Sequence, residues 1–100
     1  MTSTIMFIPL KRNYFEAFDL GEKNVEFRPY GARWNERTCF LGRRVTLGYG
    51  KKRLQGWVTS FRTDDRPSTI PGWKECYGPA QRLVACIGVT IDRMNDKIQP

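Results

Sequence analysis

Three ionisable residues, Lys23, Glu26 and Arg28, crowd the segment Gly21-Glu22-Lys23-Asn24-Val25-Glu26-Phe27-Arg28. A carboxylate between two cations can take a proton while the cations hold a phosphate or a developing oxyanion. The chain has no histidine, so acid–base chemistry falls to Glu, Asp, Lys or Tyr, each with its pKa moved towards neutrality. The two cations are expected to hold Glu26 ionised. The structural alternative is an ion-pair network on an exposed strand, worth less than about 1 kcal/mol per pair.

The basic residues extend this setting. Of the net charge of +7, the whole excess lies between residues 28 and 53, where Arg28, Arg33, Arg37, Arg43, Arg44, Lys51, Lys52 and Arg53 face one acid, Glu36. Charge gathered in a quarter of a chain is what an anion-binding surface requires. A solvated basic face without a partner is the alternative. In an RNA- or nucleotide-binding reading, Arg28, Arg33, Lys51, Lys52 and Arg53 meet phosphates, Tyr30, Trp34 or Tyr49 stacks on a base, and Glu26 accepts from a base amine or a 2′-hydroxyl. In a hydrolase reading the same cleft works with Lys23, Glu26 and Arg28 as catalytic groups. As a metal-independent ribonuclease, Glu26 would draw the 2′-hydroxyl proton while Lys23 and Arg28 stabilise the phosphorane.

Several classes are set aside. Cys39, Cys76 and Cys86 form no C-x-x-C pair and are odd in number, which suits a reducing, cytoplasmic compartment better than a disulfide framework. Three scattered thiols without histidine make no zinc site, and Asp64-Asp65 reads as a turn former, so neither metal nor cofactor is expected. The first ten residues lack a signal-peptide pattern, and no apolar run approaches the roughly 20 residues of a membrane span.

One domain is expected to fill residues 1–100. Residues 5–10 read as a first strand. Asn13 with Glu16 reads as a capping-box start of a two-turn helix carrying Tyr14, Phe15 and Phe18 on one face, which Gly21 ends. Residues 24–28 alternate, with Val25 and Phe27 assigned to the core and Glu26 and Arg28 to the opposite face, roughly 7 Å apart. Residues 29–42 read as a loop presenting Tyr30, Arg33, Trp34 and Arg37. Strands are expected over 43–49, 54–62 and 83–92, the first two joined by a tight basic hairpin, with a long loop or short helical turn over 63–82. Trp57 and Trp73 read as core or loop anchors. This order predicts an α+β chain: a small mixed β-barrel with one or two short helices.

The aromatic helix running into Gly21-x-Lys23-x-x-Glu26-x-Arg28, then Tyr30, Arg33-Trp34 and Gly48-Tyr49-Gly50, resembles the ASCH domain over roughly the first 60 residues. The resemblance implies a PUA-like barrel with a cleft beside the helix, in a group expected to bind RNA or nucleotides, some members being hydrolases. One branch deacylates N4-acetylcytidine with a lysine, a threonine three positions later and a distant glutamate. Lys23 matches the lysine, Glu26 stands where that threonine would be, and Glu75 is the candidate for the distant glutamate.

Overall fold

A computed structural model describes residues 4–78 and 83–93. Five strands, β1 (Met6–Pro9), β2 (Val25–Pro29), β3 (Arg44–Tyr49), β4 (Lys52–Asp64) and β5 (Val84–Ile91), form one sheet in the order β1-β3-β4-β5-β2. The β1–β3 pair is parallel and the others antiparallel. Two short helices, α1 (Arg12–Asp19) and α2 (Trp73–Tyr77), and a 3₁₀ turn at Pro67–Thr69 complete the described elements. The result is a small α+β half-barrel. Among the described residues, no helix is long and apolar enough to cross a membrane.

The sheet curls because its strands have unequal coverage. Met6, Ile8, Val45, Leu47, Val58, Ala85, Ile87 and Val89 pack on Phe15 and Phe18 of α1 in the main core. The other face of β5 and β2 is covered by a smaller cluster, in which Trp73 packs on Val84 and Cys86 beside Val25 and Phe27. A slip between Val58 and Ser60 bends β4, as a β-bulge does. The curl brings the two edge strands within reach of each other. Arg28 Nη2 on β2 donates to the carbonyl of Pro9 on β1, so a guanidinium closes the seam where backbone ladder bonds would close a full barrel.

The α1 start differs from the capping-box expectation. Lys11 is the N-cap residue, without a side-chain capping bond, and Asn13 lies inside the helix. Glu16 pairs with Arg12 at 3.1 Å. The helix gains its stability from burying Phe15 and Phe18, as a helix this short must. Its end follows expectation: Gly21 adopts φ +80, and Gly21 and Glu22 donate to the carbonyls of Phe18 and Ala17 at 3.2 and 2.9 Å, the paired bonds of a Schellman stop. Arg93 donates to the carbonyls of Phe18 and Asp19.

Residues 30–42 form a self-tied core plug where a display loop was expected. The Asn35 side chain donates to the carbonyls of Gly31 and Ala32 and accepts from the Arg37 and Thr38 N–H groups. This knot tucks Trp34 and Cys39 into the main core.

Gly56 of β4 sits where the strand crosses close to β5. A methyl group there would meet the carbonyl oxygen of Thr90 at 2.2 Å, whereas at Gly31 it would meet nothing. Gly56→Ala is therefore expected to cost about 1–3 kcal/mol, and Gly31→Ala to be neutral or slightly stabilising, both read by urea denaturation. Equal midpoints would remove the close approach as a constraint.

Candidate functional site

Both faces of β2 are covered, which reverses one assignment made from the alternation. Glu26 pairs with Ile87 and Arg28 with Ala85, and a directly paired residue shares its partner's face. Glu26 and Arg28 therefore point to the main core side, while Val25 and Phe27 lie under Trp73. A period of two says which residues share a face. It does not say that one face is left open, and the α2 segment covers the face that would otherwise be solvated.

Glu26 is accordingly 6% exposed. Its carboxylate accepts from Arg28 Nε at 2.7 Å and has Lys23 Nζ at 3.8 Å. The Arg28 guanidinium also lies 5.0 Å from the centre of the Trp34 ring, so this arginine is held by a carboxylate, a carbonyl and an indole. Lys23 is held less tightly. Its ammonium lies 5.5, 5.5 and 4.9 Å from the ring centres of Tyr14, Phe18 and Phe27, a cage in which cation–π attraction replaces part of its lost hydration.

Burial decides the protonation of this group. Desolvation pushes the Glu26 carboxyl above its ordinary value of 4.5, outweighing the opposing pull of Arg28 and Lys23. It also pulls the Lys23 ammonium below 10.5, with Glu26 acting in the other direction. The sequence displays the two cations that favour the Glu26 anion and hides the burial that opposes them.

Beside this pair opens a cleft of about 500 Å³. One wall is the β1–α1 junction, with Pro9, Lys11 and Tyr14; the second is Lys23, Glu26, Phe27 and Arg28; the third is the Ile70–Tyr77 segment, including Trp73, Glu75 and Cys76. Glycines at φ +80 and +83, Gly72 and Gly78, bracket α2 and let it turn its side chains to the cleft. Gly72 is also required by space, since a methyl group there would strike the Tyr14 hydroxyl at 2.4 Å. Trp73 lines the cleft and is 4% exposed, and among the described residues its buried indole N–H finds no acceptor. A buried donor without a partner costs about 1–3 kcal/mol, a cost that a ligand acceptor can relieve. Composition marks Trp73 only as an anchor, and its place opposite β2 is fixed by tertiary packing.

The remaining predicted residues lie elsewhere. Trp34 is 7% exposed and carries Arg28 and Arg33 over its ring at 5.0 and 4.9 Å, so it belongs to the core and its stacking positions are taken. Tyr30 donates to Glu36 at 2.6 Å and packs on Phe61. Arg33 reaches the carbonyl of Phe7 at 3.5 Å. Tyr49 packs against Phe15. Lys51, Lys52 and Arg53 are exposed at the β3–β4 hairpin, with Arg53 over the Phe7 ring at 5.3 Å. The basic hairpin and the Lys23–Glu26 cleft are thus two places, separated by the end of β1. Asp64 accepts from the Arg66 N–H and pairs with Arg62 and Arg66, a turn as expected.

Removing the Glu26 carboxylate strands two partly buried cations, so Glu26→Ala should cost about 3 kcal/mol or more in a urea melt. The pH dependence is opposite to that of an ordinary paired carboxylate. A carboxyl held above its unfolded value binds its proton more tightly when folded, so its contribution is complete below 4.5 and is lost as pH rises through the folded value. As pH rises above 4.5, wild type should lose stability relative to Glu26→Gln. Parallel curves would show that burial does not dominate.

Compared with known proteins, the chain matches no family model and no curated sequence, so the geometry itself carries the functional reading.

Proposed function

We propose that this chain is an ASCH-type domain of the PUA-like superfamily that binds one nucleotide or nucleoside unit, free or within RNA, in the cleft beside α1. The observation that carries the reading is the cleft itself. Its volume suits a small ligand, and its walls bring two cations, Lys23 and Arg28, against the aromatic rings of Tyr14, Phe27, Trp73 and Tyr77. A base stacks on the aromatic walls and an anionic group approaches Lys23. Free thiols at Cys39, Cys76 and Cys86 agree with a reducing, cytoplasmic setting.

A second reading, hydrolysis in the same cleft, is favoured by one observation: Glu75 lines it together with Lys23. That is the lysine and distant glutamate of the nucleoside amidohydrolase branch, with Glu26 in place of the threonine. A desolvated Lys23 with a lowered pKa gives up its proton to an acyl group more readily than an exposed lysine does. The ribonuclease form has less support, because Glu26 is buried and already bonded to Arg28.

Tryptophan fluorescence titrations with nucleosides, mononucleotides and short RNAs test the first reading. Ligand should alter Trp73 emission, and Lys23→Ala should weaken a nucleotide about tenfold, equivalent to about 1.4 kcal/mol. Absence of binding by every nucleoside and nucleotide at millimolar concentration would sink it. For the second reading, Lys23→Ala and Glu75→Gln should abolish release of acyl group from an N-acylated nucleoside while the protein still binds it, and chelators should leave the rate unchanged.

A further inference from the structure

The outer face of the β1–β3–β4 part of the sheet carries a feature that the cleft does not use. Strand register places Phe7 beside Thr46, Thr46 beside Gln55, Gly48 beside Arg53 and Arg44 beside Trp57, and alternation puts these side chains on the face opposite Val45 and Leu47. Two guanidinium-over-ring stacks result. Arg53 lies 5.3 Å from the centre of the Phe7 ring, and Arg44 lies 5.6 Å from that of Trp57. Between them Thr46 donates to Gln55 at 2.8 Å in solvent. Phe7 is 41% exposed, Arg44, Arg53 and Gln55 are exposed and Trp57 is half-buried; Arg44 also pairs with Asp92 at 3.1 Å, and Arg53 donates to the carbonyls of Gly50 and Lys52 at 2.7 Å, so a phosphate would compete with these partners.

We propose that this face binds a single strand of nucleic acid, as a surface separate from the cleft and independent of what the cleft holds. Charge complementarity names the occupant. Arg44 and Arg53 lie on the face, and Lys51 and Lys52 continue it at the hairpin tip, so four of the eight cations in the basic stretch converge here. The planar groups distinguish a nucleic acid strand from an acidic protein. Rings backed by guanidinium groups offer stacking surface to bases of any sequence, with phosphates reached by the same arginines. Arg53 and Trp57 stand four residues apart on β4, roughly 13 Å by strand rise, so the two stacks serve different nucleotides of one strand. The Thr46–Gln55 pair between them supplies polar groups to bases or riboses. Gly48 leaves room for this arrangement, since a methyl group there would collide with the Phe7 ring at 2.6 Å.

The test is fluorescence anisotropy with a fluorescein-labelled oligouridylate of about 12 nucleotides. Wild type should bind, with affinity falling as salt rises. The double variant Arg44→Gln/Arg53→Gln should lose at least about tenfold in affinity and show a salt slope shallower by about 0.7 for each phosphate contact removed. Phe7→Ala should weaken binding while leaving the salt slope unchanged. A mononucleotide titrated separately should bind the double variant as it binds wild type, which separates failure of this surface from failure of the cleft reading. Ultraviolet crosslinking of the wild-type complex should map to peptides containing Phe7 or Trp57, a readout that does not depend on how the variants fold. The proposal is overturned if wild type does not bind the oligonucleotide at low salt, or if a correctly folded double variant binds it unchanged. Crosslinks confined to other peptides, or polyglutamate competing as well as the oligonucleotide, would also overturn it.

Discussion

A carboxylate buried at an open seam organises this domain. Glu26 lies on an edge strand, faces the main core, and would be costly to keep there alone. Arg28 answers that cost from two residues away and, in the same posture, reaches across the seam to Pro9 on the opposite edge strand. This bond ties the two edge strands together at the β1–α1 junction. The Schellman stop at Gly21 turns the chain so that Lys23 arrives beneath the aromatic face of α1. One buried acid therefore holds the arginine that closes the curl and faces the lysine across the cleft wall.

The same arrangement separates structural cations from chemical ones. Arg28 bonds Glu26 through Nε and Pro9 through Nη2 with its guanidinium over Trp34, so moving it would open the seam. Lys23 sits 3.8 Å from Glu26, beyond a tight ion pair, among rings that attract without directing it. A group held that loosely can exchange its partner for an incoming anion with little rearrangement. Of the three residues first singled out, Arg28 is mainly a clasp, Glu26 is its counterion, and Lys23 is the one poised towards a ligand.

Much of the fold was legible in the residues. Apolar content and alternation located every described strand, Gly21 marked the helix end, and Gly50, at φ +56, marked the hairpin. The helix start was misread because Asn13–Glu16 has capping-box spacing, whereas the N-cap is Lys11, two residues earlier, in a helix that buries Phe15 and Phe18. Trp34 was misplaced for a similar reason: mixed polarity suggests display, whereas Asn35 ties the segment down by side-chain bonds that no periodicity reveals. The clustering of Lys23, Glu26 and Arg28 was legible. The burial of Glu26 was not, because alternation does not say which face of β2 meets the main core, and the Val25–Phe27 face is covered by Trp73 from a segment whose register no local pattern fixes. The outer-face stacks escaped for a related reason, since Phe7–Arg53 and Arg44–Trp57 become neighbours only once strand register is known.

Two surfaces rather than one also explain the charge distribution. If the basic stretch served only the cleft, its arginines would converge there, yet of that stretch only Arg28 lines the cleft and its charge is largely matched by Glu26. The cleft itself carries Lys11, Lys23 and Arg28 against Glu26 and Glu75, a near balance suited to recognising a small polar ligand by shape and hydrogen bonds. Of the other cations in the stretch, Arg44, Lys51, Lys52 and Arg53 lie on the outer sheet face and hairpin, where Arg44 pairs with Asp92 at 3.1 Å and the charges are exposed and screened by salt. Pro9 lines the cleft and Phe7 lies two residues back on the same exposed face of β1, so a strand following the sheet comes to the cleft rim over roughly 7 Å. A short parallel edge strand thus forms the boundary between a half-buried pocket, where Lys23 and Glu26 meet, and an exposed basic face of the sheet.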